Sequence, residues 1–179
     1  MNPEHITRLL NRSPDDLTRD EAADMEAIYQ RLKKIARIQR VKIRNGQLNT
    51  TALVNEAWIK SRGKNGAFAD RNHFFAYCAL AMRHILFTQA RRNKLITYVD
   101  DDQALDRHPV YQQSDYLLEL ERHLASLREF SPRLEQVFTY RFFGEMPFDA
   151  IAAVLKMSER TALRDWKKAR TMLAVALEK

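Results

Sequence analysis

Apolar residues recur at intervals of three and four along most of this chain, and little interrupts them. Between Arg19 and Lys42 the series runs Ala22, Met25, Ile28, Tyr29, Leu32, Ile35, the stripe of a helix that buries one face. Only 4 glycines and 5 prolines are spread over 179 residues, too few to punctuate a turn-rich β fold. "RNGQLN" ends the first pattern, and a second helix is expected from Thr50 to Ser61. After the basic loop "RGKNGAFAD" a third runs from Asn72 to Asn93. Its first half is apolar nearly all round, which places it at the centre of a bundle. Its second half carries a polar stripe of His84, Thr88, Arg91 and Arg92. Farther on, Leu117, Leu120, Leu124 and Leu127 mark a helix. Ser131 and Pro132 give a start signal for the next, an N-cap hydroxyl before a proline at the first helical position. "GEMP" ends that helix, and Pro147 opens another.

The sign of the charge changes where the helical pattern fails. Residues 1–94 carry 18 basic and 9 acidic side chains, 95–115 carry 1 and 5, and 116–179 carry 11 and 9. "LITYVDDDQALDRHPVYQQSD", residues 95 to 115, holds "DDD", a proline and no helical stripe. The expected fold is all-α: a helical domain over 1–94, a flexible acidic linker over 95–115, and a second helical domain over 116–179. "LITYV" has β character but no strand to pair with. The net charge of +7 suits a polyanionic partner.

Several classes of function are disfavoured. One cysteine, Cys78, in the apolar run "FFAYCALAM", reads as a buried small hydrophobe and fits a reducing cytoplasm. The first residues, "MNPEHITRLLNRSPDD", lack the apolar core of a signal peptide, and no 18-residue apolar run suggests a membrane span. The expectation is a cytoplasmic protein. Histidines 5, 73, 84, 108 and 123 show no metal-ligand spacing. No Gly-rich phosphate loop and no nucleophile–base pair is evident, so neither cofactor nor catalysis is expected.

The most specific stretch is "PFDAIAAVLKMSERTALRDWKKAR", residues 147 to 170. Phe148, Ile151, Ala152 and Leu155 form the inner face of one short helix, and Lys156 and Met157 make a turn. Ser158 caps a second helix whose inner face is Ala162, Trp166, Ala169 and Leu173. Its outer face presents Arg160, Arg164, Lys167 and Lys168, with Thr161 near the start. Small residues at 152 and 162 allow close approach, and the outer residues suit base edges and phosphates in a major groove. Periodicity alone also fits a plain helical hairpin with a solvated basic face.

"FGEMPFDAIAAVLKMSERTALRDWKKAR" resembles the C-terminal domain of extracytoplasmic-function (ECF) sigma factors. "TALVNEAWIK" followed by "HFFAYCALAMRHILFTQARRNK" resembles their N-terminal domain, in the same order and spacing. The resemblance implies a non-enzymatic subunit that directs bacterial RNA polymerase core to promoters. Under it, Ser158, Arg160, Thr161, Arg164, Lys167 and Lys168 would face the minus-35 element. Arg83, His84, Thr88, Arg91 and Arg92 would recognise and help melt the minus-10 element. Leu53, Val54, Glu56 and Trp58 would lie against the β′ clamp. The acidic linker would thread the RNA exit channel. His84, Thr88 and Leu163 stand where relatives commonly have Asn, Asp and Lys or Arg. The competing reading is a stand-alone helix-turn-helix regulator, with the N-terminal bundle as dimerisation or effector domain.

One departure bears on regulation. Glu56 is the only acidic residue between Glu26 and Asp70, a window with ten lysines and arginines. Typical relatives are acidic just before "LV", where this chain has Thr50, Thr51 and Ala52. The resemblance extends to groups that lack the acidic patch and accompany a Ser/Thr kinase. Phosphorylation of Thr51, with Thr50 second, is therefore expected to supply the missing charge. The plain alternative is that either threonine is a helix cap.

Overall fold

The computed structural model describes residues 9–10, 18–43, 49–62, 68–100 and 109–178, and among these there is no strand. Seven helices follow in order: α1 Arg19–Lys42, α2 Thr50–Arg62, α3 Arg71–Asp100, α4 Pro109–Phe130, α5 Pro132–Phe142, α6 Phe148–Leu155 and α7 Glu159–Leu177. Residues 44–48 of the breaker "RNGQLN", residues 63–67 of the basic loop, and residues 101–108 of the acidic segment lie outside the described residues.

Local chemistry explains the starts. Thr18 and Glu21 form a capping box: the Thr18 hydroxyl accepts from the Glu21 N–H, and the Glu21 carboxylate accepts from the Thr18 N–H at 2.8 Å. That contact buries Glu21, while Ala22, expected on the inner stripe, is exposed. Ser131 caps α5 with Pro132 just inside. α6 starts after Pro147 and ends on Lys156 in the left-handed region (φ 52°, ψ 49°), and Ser158 caps α7.

Two boundaries differ from expectation. α3 runs on through "LITYVD" to Asp100, and α4 begins at Pro109. The β-branched residues of "LITYV" read as strand-like, and the start of α4 carries no apolar stripe, so neither turn is legible from periodicity. A proline at the first position of a helix has its φ already set and lacks only an N–H that has no partner there anyway. An ion pair between Lys94 Nζ and Asp115 Oδ1, 2.7 Å, ties the two helices together.

α3 is the axis of the molecule. It packs on α2, α4, α5 and α6, which accounts for Phe74, Phe75, Cys78, Ala79, Met82, Leu86, Phe87 and Ala90 all being buried. One apolar core continues from α1 and α2 through α3 to α5, α6 and α7. The turn after α5 sits tight on α3: a Cβ added to Gly144 would lie 2.7 Å from both Ala79 Cβ and the Tyr140 carbonyl. Only glycine fits that approach.

Candidate nucleic-acid interface

The helix-turn-helix forms as its residues require. Lys156 and Met157 turn the chain, their N–H groups donating to the carbonyls of Ala153 and Ala152. Ser158 Oγ accepts from the Thr161 N–H at 3.2 Å and lies 2.8 Å from Thr161 Oγ1. Ala152 and Ala162 are both buried between α6 and α7. Ala169 and Leu173 are core, and the half-buried Trp166 stacks on Phe138 with centroids 5.4 Å apart. Arg160, Arg164, Lys167 and Lys168 all face outward, with Leu163 exposed among them. Lys168 Nζ sits over the Phe130 ring at 5.3 Å, which steadies the long side chain without neutralising it.

Sequence reasoning missed what aims this face. Asp165 is only 2% exposed, although it lies between outward residues. Its Oδ2 pairs with Arg133 Nε at 2.7 Å, from the first turn of α5. This pair fixes the rotation of α7 against α5, and with it the direction of the basic face. An acidic residue inside a basic helix was the only signal available.

The α3 stripe is divided. His84, Arg91 and Arg92 are exposed, and Arg83 and Thr88 are half-buried. Arg83 is closed on Glu135 and donates to Thr139 Oγ1 at 3.0 Å. Arg91 donates to both carboxylate oxygens of Glu121, at 2.6 and 2.5 Å, and to Thr88 Oγ1 at 3.2 Å. Burial, with the Glu135 carboxylate nearby, holds the Tyr140 phenol above its usual range.

On α2 the expected docking residues separate. Glu56 is exposed. Trp58 is half-buried, edge-on to Tyr29 and Phe74, with the Arg62 guanidinium 5.3 Å from its ring. Leu53 and Val54 are 2% and 0% exposed. Both belong to the apolar core in this structure and hold α2 in place. The outward apolar residue of α2 is Ile59, 68% exposed. The cap of α2 is Asn49, whose Oδ1 accepts from the Ala52 N–H at 3.0 Å. Neither threonine is the cap; Thr51 is exposed in the first turn.

No helix among the described residues is long and apolar enough to cross a membrane. Neither the comparison with curated proteins nor that with solved structures gives a match. The family model described as ECF sigma factor matches residues 3–179. ECF sigma factors are transcription initiation factors rather than enzymes, and they bind RNA polymerase core and promoter DNA. With that match spanning nearly the whole chain, and an all-helical fold ending in a helix-turn-helix, this chain belongs to the ECF sigma factor family.

Proposed function

We propose that this cytoplasmic sigma factor directs core polymerase to a set of promoters through two recognition surfaces and is switched on by a Ser/Thr kinase. Residues 1–94 act on the core enzyme and the minus-10 element, residues 116–179 on the minus-35 element, and residues 95–115 connect them. The observation that carries the reading is the outward Arg160, Arg164, Lys167 and Lys168 face on the second helix of the helix-turn-helix. Core polymerase supplemented with the purified chain should give run-off transcripts from promoter sequences enriched on the holoenzyme. A chain that binds duplex DNA as a dimer but confers no initiation on core would be a stand-alone regulator instead.

The kinase switch is supported at the start of α2. Its first turn has no acidic residue, Asn49 supplies the cap, and Thr51 faces solvent. A phosphate there meets free N–H groups and the positive end of the helix dipole. It adds roughly −1.5 to −2 charge and about 1–3 charge-assisted hydrogen bonds. One or two such bonds correspond to a rise of roughly tenfold to a few hundredfold in core affinity. Thr51→Ala should fold but fail in cells. Equal core affinities for the phosphorylated and unmodified proteins would refute the switch.

A further inference from the structure

A cleft of about 450 Å³ opens between the α4–α5 turn and the outward face of α7. Phe130, Ser131 and Arg133 line it from the turn, and Arg164, Asp165 and Lys168 from α7. Three cations there meet one carboxylate, an excess of two positive charges. Ser131 is the cap of α5, so the positive end of that helix dipole opens on the same cleft.

The one carboxylate is engaged within the fold. Asp165 Oδ2 pairs with Nε of Arg133 at 2.7 Å, and Oδ1 lies 3.7 Å from Nε of Arg164. Nε is the inner nitrogen of the guanidinium. The outer two, Nη1 and Nη2 of Arg133, take no partner among the described residues, and the side chain is 55% exposed. Asp165 itself is buried. The pair therefore anchors the arginine from beneath and leaves its outer edge to solvent.

We propose that Arg133, together with Lys168, grips one backbone phosphate of the DNA beside the bases that α7 reads. The inference rests on the minus-35 reading of α7 and assigns a DNA contact to a residue outside the helix-turn-helix. The outer nitrogens of a guanidinium form a fork that matches two phosphate oxygens. A buried carboxylate on Nε keeps that fork from turning. Lys168, steadied over Phe130 at 5.3 Å, supplies the second charge.

A phosphate contact carries no base information, but it fixes the register of a protein on the duplex. Here the grip is tied to the reading helix itself. Asp165 follows Arg164 directly in the chain and holds Arg133. The seat of Arg133 on the backbone is thus one ion pair away from the side chain expected at the base edges. Arg133 sets where α7 lies in the groove, and Asp165 transmits that setting.

Salt dependence separates this grip from a pair that only supports the fold. Holoenzyme affinity is measured between about 50 and 200 mM salt, on a promoter duplex enriched on the holoenzyme and on one with its minus-35 element scrambled. Each neutralised phosphate contributes about 0.9 to the slope of log affinity against log salt. Arg133→Ala should flatten that slope by about this much on both duplexes, so its deficit shrinks about threefold over the range. Asp165→Asn keeps the Arg133 charge. It should leave the slope unchanged and lower the preference for cognate over scrambled DNA. Where Arg133→Ala loses stability because Asp165 is left unpaired, Arg133→Ala with Asp165→Ala carries the same slope test. A slope unchanged by loss of Arg133, or flattened equally by Asp165→Asn, overturns the grip. A scan of single methylphosphonates along the duplex should find a position flanking the element where neutralisation weakens the unsubstituted protein and leaves Arg133→Ala unaffected. The absence of any such position also overturns it. An unsubstituted holoenzyme that binds cognate and scrambled duplexes alike removes the minus-35 reading, and the grip with it. Intact discrimination with an unchanged Arg133→Ala slope removes the grip alone.

Discussion

Arg164 and Lys168 lie one turn apart on the outward face of α7, yet their expected roles differ. The Arg164 guanidinium is free to reach base edges, for its contact to Asp165 is a loose 3.7 Å. Lys168 lies farther from the helix start and rests over Phe130, a placement suited to a phosphate. Arg164→Ala should cost about 1–3 kcal/mol of minus-35 binding and relax specificity, whereas Lys168→Ala should weaken all sequences alike. Binding of both variants to cognate and scrambled minus-35 duplexes checks this, and core affinity should not change. Cys78 gives a second expectation at this scale. Burial pushes its thiol well above the usual range, so the reactive thiolate is scarce at neutral pH. A maleimide should leave the native protein unmodified and label it stoichiometrically in denaturant. Rapid native labelling would contradict the packing of α3.

α2 shows how a helix can carry a binding surface without offering its most apolar residues. Leu53 and Val54 are core. Leu53→Ala should therefore lower stability by about 2–5 kcal/mol, seen as a fall in the thermal midpoint. Core affinity of the protein that remains folded should change little. Ile59→Ala, on an exposed side chain, should leave the midpoint almost unchanged. The helices themselves were legible in the sequence. α1 was expected over the span it occupies, and Ser131, Pro147 and Ser158 announced α5, α6 and α7, because caps and apolar spacing are local properties. Whether Leu53, Val54 and Trp58 serve the core or a docking surface is not legible in the sequence, because one apolar stripe fits both, and the structure buries the first two. The last residues of α3 and the first of α4 carry no regular apolar spacing, so a periodicity reading stops short of them. Asp165 was invisible as a buried residue, since its partner Arg133 is 32 positions away in sequence. The outward basic face of α7 needed only the helical period.

At the scale of the whole molecule, the apolar core does not stop at the boundary between the two halves. Phe87 meets Phe143, Gly144 lies against Ala79, and α3 packs on helices from both sides. Two domains joined only by a tether would unfold independently, each with a shallow dependence on denaturant, because that slope scales with the surface a unit exposes. A continuous core couples them, and a partly unfolded molecule would leave one side of α3 bare to water. The chain carries two tryptophans, Trp58 on α2 and Trp166 on α7, one in each half, so each half has its own fluorescent reporter. Trp58→Phe and Trp166→Phe single-tryptophan variants should unfold in urea at midpoints that coincide once the small stability change of each substitution is allowed for. Helical circular dichroism should follow the same curve, as a two-state transition requires. Removing contacts between the halves should undo the coincidence. With Glu121→Gln and Asp115→Asn added, which removes two ion pairs between α3 and α4, the two reporters should draw apart, and Gly144→Ala, which forces the turn off Ala79, should separate them further. Two well-separated transitions in the unsubstituted chain would mean that the halves are already independent in solution.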